Sequence, residues 1–228
     1  MQAELADNNR KVEKEITISM QSASKWLPVL ISGFKKQYPD IKIAIVQHTN
    51  PMDTMRCDIR ISSGRTKIED TNTITLLEEE ILLALPKEHP LATKSSIALT
   101  DVKDEPFISL QKGKPLREIT DEYCRLAGFE PKVVLESDDP STIRGFIHLG
   151  LGISFIPTIT WNNIANSSIA LLNISKPKCN RYIYLSWKNT TYISEATKLF
   201  RDYAVEFFQK LPLLATTPSS PASNSTDS

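Results

Sequence analysis

The chain has 228 residues, 40% of them hydrophobic, and its 27 basic residues balance 27 acidic ones. That length allows one large or two compact lobes, and the even charge excludes the basic stripe of a free-standing nucleic-acid binder. Three widely spaced cysteines, Cys57, Cys124 and Cys179, form no C-x-x-C pair. They read as reduced, buried thiols of a cytoplasmic protein rather than a disulfide framework or a zinc site. The charged opening MQAELADNNRKVEKE lacks the apolar stretch of a secretory leader, and no run of about 18 apolar residues spans a membrane.

In chain order, residues 1–15 read as the end of a helix that continues upstream, since only Leu5 and Val12 are apolar between Glu4 and Lys14. Ile16–Met20 is a strand. Lys25–Tyr38 is a helix with Leu27, Leu30, Ile31 and Phe34 on one stripe, and Pro28 fixes its start near Ser24 or kinks it. Ile41–Val46 and Asp58–Ser62 are strands, and Thr73–Leu77 with Ile81–Leu85 forms one extended stretch. Pro115–Ala127 is a helix, with Pro115 suited to its first turn and Gly128 to the position after its end. Lys132–Leu135 is a strand, Asp139–Leu149 a helix, and Ile153–Ile156 a strand followed by a helix from about Thr158. Tyr182–Trp187 is a strand. Ser194–Gln209 is a helix capped by Ser194, with a stripe of Ala196, Leu199, Phe200, Tyr203 and Phe207. The Ser, Thr and Pro-rich residues 212–228 cannot offset their ordering entropy and are expected to be disordered. The alternation predicts an α/β fold with mainly parallel sheets, whose ligands bind beyond the carboxyl ends of the strands.

Three of the seven glycines fall in 145-GFIHLGLGISFIP-157. A phosphate-binding fingerprint needs strand, glycines, then helix; here a helix precedes the glycines and a strand follows, so the run is a scaffold joint. Ser22 to Lys25 spells S-x-x-K, but no K-T-G or S-D-N accompanies it. The better reading is a strand-to-helix turn whose hydroxyls and amides cap the helix or hold an anion. Asp138 and Asp139 before Pro140 suit an N-cap, with a ligand contact as the alternative. His148 lies with Arg144 on a polar helix face, His89 in a proline-rich turn, and His48 follows a strand. No clustered acid, base and nucleophile set exists, so no enzyme is expected.

Strand Ile16–Met20 with 22-SASKWLPVLISGFKKQYPDIKI-43, then 76-LLEEEILLALPKEHPLA-92, 105-EPFISLQKG-113, 123-YCRLAGFEPKVVLES-137, 149-LGLGISFIP-157 and 181-RYIYLSWKN-189 resemble, in order and spacing, the effector-binding domain of LysR-type transcriptional regulators. The resemblance covers about residues 16–210. It implies a two-lobed fold like the type 2 periplasmic binding proteins, joined by two crossover strands. Lobe one would be 16–84 plus 183–211 and lobe two 85–182. It implies a small-molecule effector between the lobes and a side-by-side antiparallel homodimer, or a dimer of dimers. The first helix, with Trp26 and Phe34, would contribute to that dimer, although Phe34 suits the core equally well. Carried over by position, the effector contacts are Ser22, Ala23 and Ser24; Thr49 and Asn50; Ser62 and Ser63; and Ser109, Leu110, Gln111 and Lys112. These residue types suit a small carboxylate, and no cofactor is implied.

Two departures stand out. Only about fifteen residues precede Ile16, too few for the family's winged helix-turn-helix, so DNA contact is expected only through an N-terminal domain that this chain lacks. Further on, 49-TNPMDTMR-56 replaces a helix of the family, which opens or alters that side of the cleft. A solute-binding protein of a transport system, which shares the fold, is the alternative.

Overall fold

A computed structural model describes residues 15–47, 56–161, 168–188 and 193–216. Strand β1 (Glu15–Met20) buries Ile16, Ile18 and Met20 on one face, and Ser19 near its end is buried as well. A 3-10 turn over Ser24–Trp26 leads straight into helix α1 (Leu27–Gln37). This turn accommodates Pro28, which falls in the first turn of α1, where a missing N–H removes no helical bond. β2 (Lys42–Val46) and β3 (Ile59–Gly64) flank β1 in parallel.

Strand β4 runs unbroken over fourteen residues, Thr73–Pro86. Its first half pairs with β10 (Asn180–Trp187). Its second half pairs with β8 (Ser154–Pro157) and β9 (Ile169–Lys176). β9 carries the short β5 (Ser96–Ala98) on its other side. β6 (Pro106–Leu110) and β7 (Lys132–Ser137) form a parallel pair, tied to the rest by a bridge between Phe107 and Ile153. The remaining helices are α2 (Pro115–Leu126), α3 (Pro140–His148) and α4 (Glu195–Thr216).

The apolar side chains sort into two separate cores, one per lobe. In lobe one, Ile16, Ile18, Phe34, Ile59, Ile61, Ile183 and Leu185 pack beneath Phe200, Ala204, Phe208 and Leu211 of α4. Phe34 and Phe200 meet edge to face at 5.0 Å, a geometry that aromatic quadrupoles favour. In lobe two, Ile81, Leu83 and Leu85 of β4 pack with Phe107, Ile119, Cys124, Ile143, Ile147, Phe155 and Leu172. The chain crosses between the cores where Glu79 and Arg181 sit opposite each other in register, and the Ile81 amide donates to the Cys179 carbonyl at 2.8 Å.

The two-lobed α/β architecture is the expected one, with one correction. The sheet is mixed rather than mainly parallel: β1–β2, β1–β3, β5–β9 and β6–β7 are parallel, while every partner of β4 and β10 is antiparallel. Sequence alternation does not reveal that a strand serving two lobes takes returning segments on both edges. The stripe of α4 is also shifted. Phe208, Ala204 and Leu211 are buried, and Phe207 is only half-buried. Ser194 caps α4 through its Oγ, which accepts from the Thr197 amide at 3.1 Å. Residues 158–161 form a turn rather than a helix start, and 162–167, where that helix was expected to continue, lie outside the described residues.

Candidate functional site

A cavity of about 590 Å³ lies between the lobes. Its lobe-one wall is the turn from Met20 to Lys25, together with Gln47. Ala23 adopts the left-handed conformation, with φ 60° and ψ 25°, which a non-glycine residue enters at a cost of about 1 kcal/mol. That twist lets the chain leave β1 and enter the 3-10 turn at once, and the Trp26 amide closes the turn on the Ala23 carbonyl at 2.9 Å. Ser22 is buried, its Oγ donating to Ser63 Oγ at 2.9 Å, while Ser24 is exposed.

The lobe-two wall consists of Leu110, the start of α2 (Lys114 to Leu116) and the start of α3 (Asp138 to Ser141, with Arg144). Asp139 is the N-cap of α3: its Oδ2 accepts from the Thr142 amide at 2.9 Å and from the hydroxyls of Thr142 and Ser141. The Ser141 hydroxyl leads these bonds in lowering the Asp139 carboxyl to about 2. Buried Arg117 braces this wall from behind, donating to the Leu110 carbonyl at 2.9 Å, to Glu136 at 2.6 Å and to Asp121. Three helices begin at the cavity: α1 through its 3-10 turn, α2 and α3. The starts of α2 and α3 line it directly, the latter capped by Asp139, and α1 meets it only through the preceding 3-10 turn at Ser24 and Lys25.

The floor is made at the crossing by Thr160, Trp161 and Arg181. Arg181 is 2% exposed, and its Nε donates to Glu79 at 2.8 Å. Glu79 also accepts from the Ile159 and Thr160 amides and from the Thr160 hydroxyl, all at 2.8 Å, and Arg181 reaches that hydroxyl at 2.5 Å. The buried charges are thus paired and hydrogen-bonded, the condition under which burial is tolerated. Outside the cavity, a second link joins the lobes: Arg65, just beyond β3, pairs with Glu122 of α2 at 2.7 Å and lies over the Tyr123 ring.

Among the residues expected to meet an effector, Ser22, Ala23, Ser24 and Leu110 line the cavity. Ser63 does not line it but accepts a hydrogen bond from Ser22. Ser62 lies within β3 paired to Tyr184, and Ser109 within β6 paired to Glu136. Gln111 and Lys112 are exposed beyond β6, where the Gln111 amide donates to the Ser137 carbonyl at 3.0 Å. Thr49, Asn50 and His48 lie outside the described residues. Lys25, Arg144, Trp161 and Arg181 join the site without being singled out by the sequence as site residues. The Asp-Asp-Pro start of α3, with Leu110 after β6, was the signal pointing to that wall. Cys124 and Cys179 are buried free thiols, each pushed up to about 12 by burial, and so are unreactive.

A family model described as the LysR substrate binding domain matches residues 10–209. The Bacillus subtilis regulator YybE, an uncharacterized HTH-type transcriptional regulator, is 29% identical over 81% of the chain and 64% of its own length. The transcriptional dual regulator GltC of the same organism is 27% identical over 83% of the chain and 65% of its own length. The chain therefore spans just under two thirds of these relatives. The effector binding domain of QuiR, in complex with shikimate, superposes with a TM-score of 0.69 at 26% identity, covering 86% of this chain and 97% of that one. The regulatory domain of CcmR from Synechocystis PCC6803, in complex with 2-PG, shares the fold with a TM-score of 0.73 at 24% identity, covering 86% of this chain and 98% of that one. With its two lobes, its crossing strands and this match over most of its length, the chain belongs to the LysR substrate binding domain family.

Proposed function

We propose that this domain senses a small anionic effector in the interlobe cavity and passes binding on as a change in lobe angle to the DNA-binding part of a LysR-type transcriptional regulator. One observation carries the reading: the turn before α1, the starts of α2 and α3 and the side chains of Lys25, Lys114 and Arg144 line a single cavity with walls from both lobes. Amide-rich helix starts and cations favour anions. Leu110, Pro115, Leu116 and Trp161 supply an apolar surface for the ligand body. Shikimate, which the QuiR domain holds, is itself a carboxylate. A ligand touching both walls stabilises one lobe arrangement over others, and this differential affinity is the whole of the signal. The family assignment favours a regulator over a transport protein.

The chain is also expected to dimerise. Val29 of α1 and Ile45 of β2 are exposed on lobe one, and Leu126 of α2 and Val134 of β7 on lobe two. A twofold axis would pair the first set with the second on the mate.

A thermal-shift screen of small carboxylates tests the effector reading. A ligand at a hundred times its Kd adds about 2.7 kcal/mol, which raises Tm by roughly 5–10 °C for a chain of this size. Ser24→Ala and Trp161→Phe should reduce that shift. A screen in which no acid moves Tm would overturn the reading.

A further inference from the structure

We infer that the effector of this cavity is a carboxylate with a second oxygen acceptor, a keto or hydroxyl group remote from the carboxylate, and that the indole N–H of Trp161 selects it by donating to that oxygen. This rests on the effector reading above and deepens it to a ligand class and a specificity-determining residue.

Trp161 lies at the floor of the cavity and is only 7% exposed. Its Nε1–H, the one polar group of the side chain, has no hydrogen-bond partner among the described residues. The indole nitrogen of Trp26 also lacks one but is closed off completely, whereas that of Trp161 keeps accessible surface. A buried indole N–H ordinarily finds a partner, so an open one in a cavity marks the place of an acceptor. The two other floor residues are already engaged. The Thr160 hydroxyl donates to Glu79 and accepts from Arg181, and Arg181 Nε donates to Glu79.

The donor is also held in place before any ligand arrives. The Thr158 amide donates to the Glu80 carbonyl at 3.0 Å, and the Ile159 and Thr160 amides donate to the Glu79 carboxylate at 2.8 Å. The turn that carries Trp161 is thus pinned to β4 residue by residue, and the Trp161 side chain belongs to the lobe-two core. A fixed donor loses little freedom on binding.

Selection follows from the asymmetry of buried hydrogen bonds. A ligand that covers Trp161 with a methylene group takes the N–H from water and returns nothing, whereas one that presents an oxygen replaces the lost bond. The starts of α2 and α3, with Lys114 and Arg144, suit the carboxylate. Leu110, Pro115 and Leu116 suit an apolar spacer, and the floor suits the second oxygen. A plain aliphatic acid meets the first two and leaves the third unmet.

Calorimetry on the intact chain compares pentanoate with 4-oxopentanoate, and cyclohexanecarboxylate with its 4-hydroxy and 4-oxo derivatives. At least one oxygenated acid should bind about tenfold or more tighter than its parent, one tenfold step being about 1.4 kcal/mol. Trp161→Phe keeps an aromatic ring and removes the donor. It should weaken that acid about tenfold and the parent about twofold or less. The indole proton signals give a second readout in the unaltered chain, which has three tryptophans. The Trp161 signal should move further downfield with the oxygenated acid than with its parent. Its loss in Trp161→Phe assigns it or, should that variant not fold, Trp26→Phe and Trp187→Phe assign it by elimination. Parents that bind as tightly as their oxygenated derivatives overturn the role of Trp161 and leave the effector reading standing. So does a Trp161 signal that an oxygenated acid moves no further than its parent does. No acid of either kind binding overturns both.

Discussion

Arg181 shows how one side chain can govern a fold from a position that local sequence does not advertise. In N-R-Y-I-Y-L the arginine occupies an alternating strand position that would ordinarily face water. Its partner Glu79 sits in a run of three glutamates, of which it alone is almost fully buried. Removing one member strands the other as an uncompensated charge, so Arg181→Met should lower unfolding free energy by about 3–5 kcal/mol. Glu79→Gln with Arg181→Met should recover more than half of that loss, measured by urea unfolding. Asp139 is the opposite case, because Asp followed by Pro before an apolar period is a recognisable cap. Asp139→Ala should cost about 1 kcal/mol. The carboxyl is lowered to about 2 in the folded chain, beneath its unfolded value. Its contribution is therefore complete above about pH 4 and fades between about pH 4 and 2 as the folded group protonates. The wild type should lose stability through that acid window relative to Asp139→Ala, as thermal melts at stepped pH would show.

At the scale of elements, long periodic segments were legible and short or irregular ones were not. β1, α1, β4, α2 and α3 follow their apolar spacing closely. β9 and β5 do not, because 169-IALLNISK-176 and 96-SIA-98 have neither strict alternation nor clear turn residues. On α4, adjacent Phe207 and Phe208 both fit an apolar stripe, and only packing against Phe34 and β1 chooses Phe208. The cavity-lining turn at Ser22 to Ser24 was visible because it joins strand to helix. The cations that complete the site were not, since Lys25 and Arg144 are ordinary helix-surface types until the lobes bring their elements together. The glycine joint was read correctly as scaffold, and it makes two opposite predictions. Gly152 leaves room for the Pro106 carbonyl, which would lie 2.5 Å from an added Cβ, so Gly152→Ala should lose about 1–3 kcal/mol. Gly145, inside α3 with nothing within 4 Å of an added Cβ, should gain about 0.5–1 kcal/mol on replacement by Ala. Thermal melts of the two single variants check both signs.

On the whole-molecule scale, the two lobes and their crossing followed from family phrases spread along the chain, while the relation between them rests on contacts no local pattern contains. Arg65 with Glu122 ties lobe one to lobe two outside the cavity, and Tyr123 anchors α2 to the start of β10 at Asn180. The exposed Ile45 and Val29 lie on the face expected to meet a second copy, so Ile45→Lys should convert a dimer to a monomer in light scattering without lowering the monomer's melting temperature. The continuity of β4 has a further consequence, for synthesis. The lobe-two core runs from the second half of β4 to Cys179, so it is complete just after β9 has emerged. Lobe one must wait for α4, since Phe200, Ala204, Phe208 and Leu211 close over Ile16, Ile18 and Phe34. At about 5–20 residues per second, the first strands stay uncovered on the order of ten seconds while the interior lobe folds ahead of the one that began the chain.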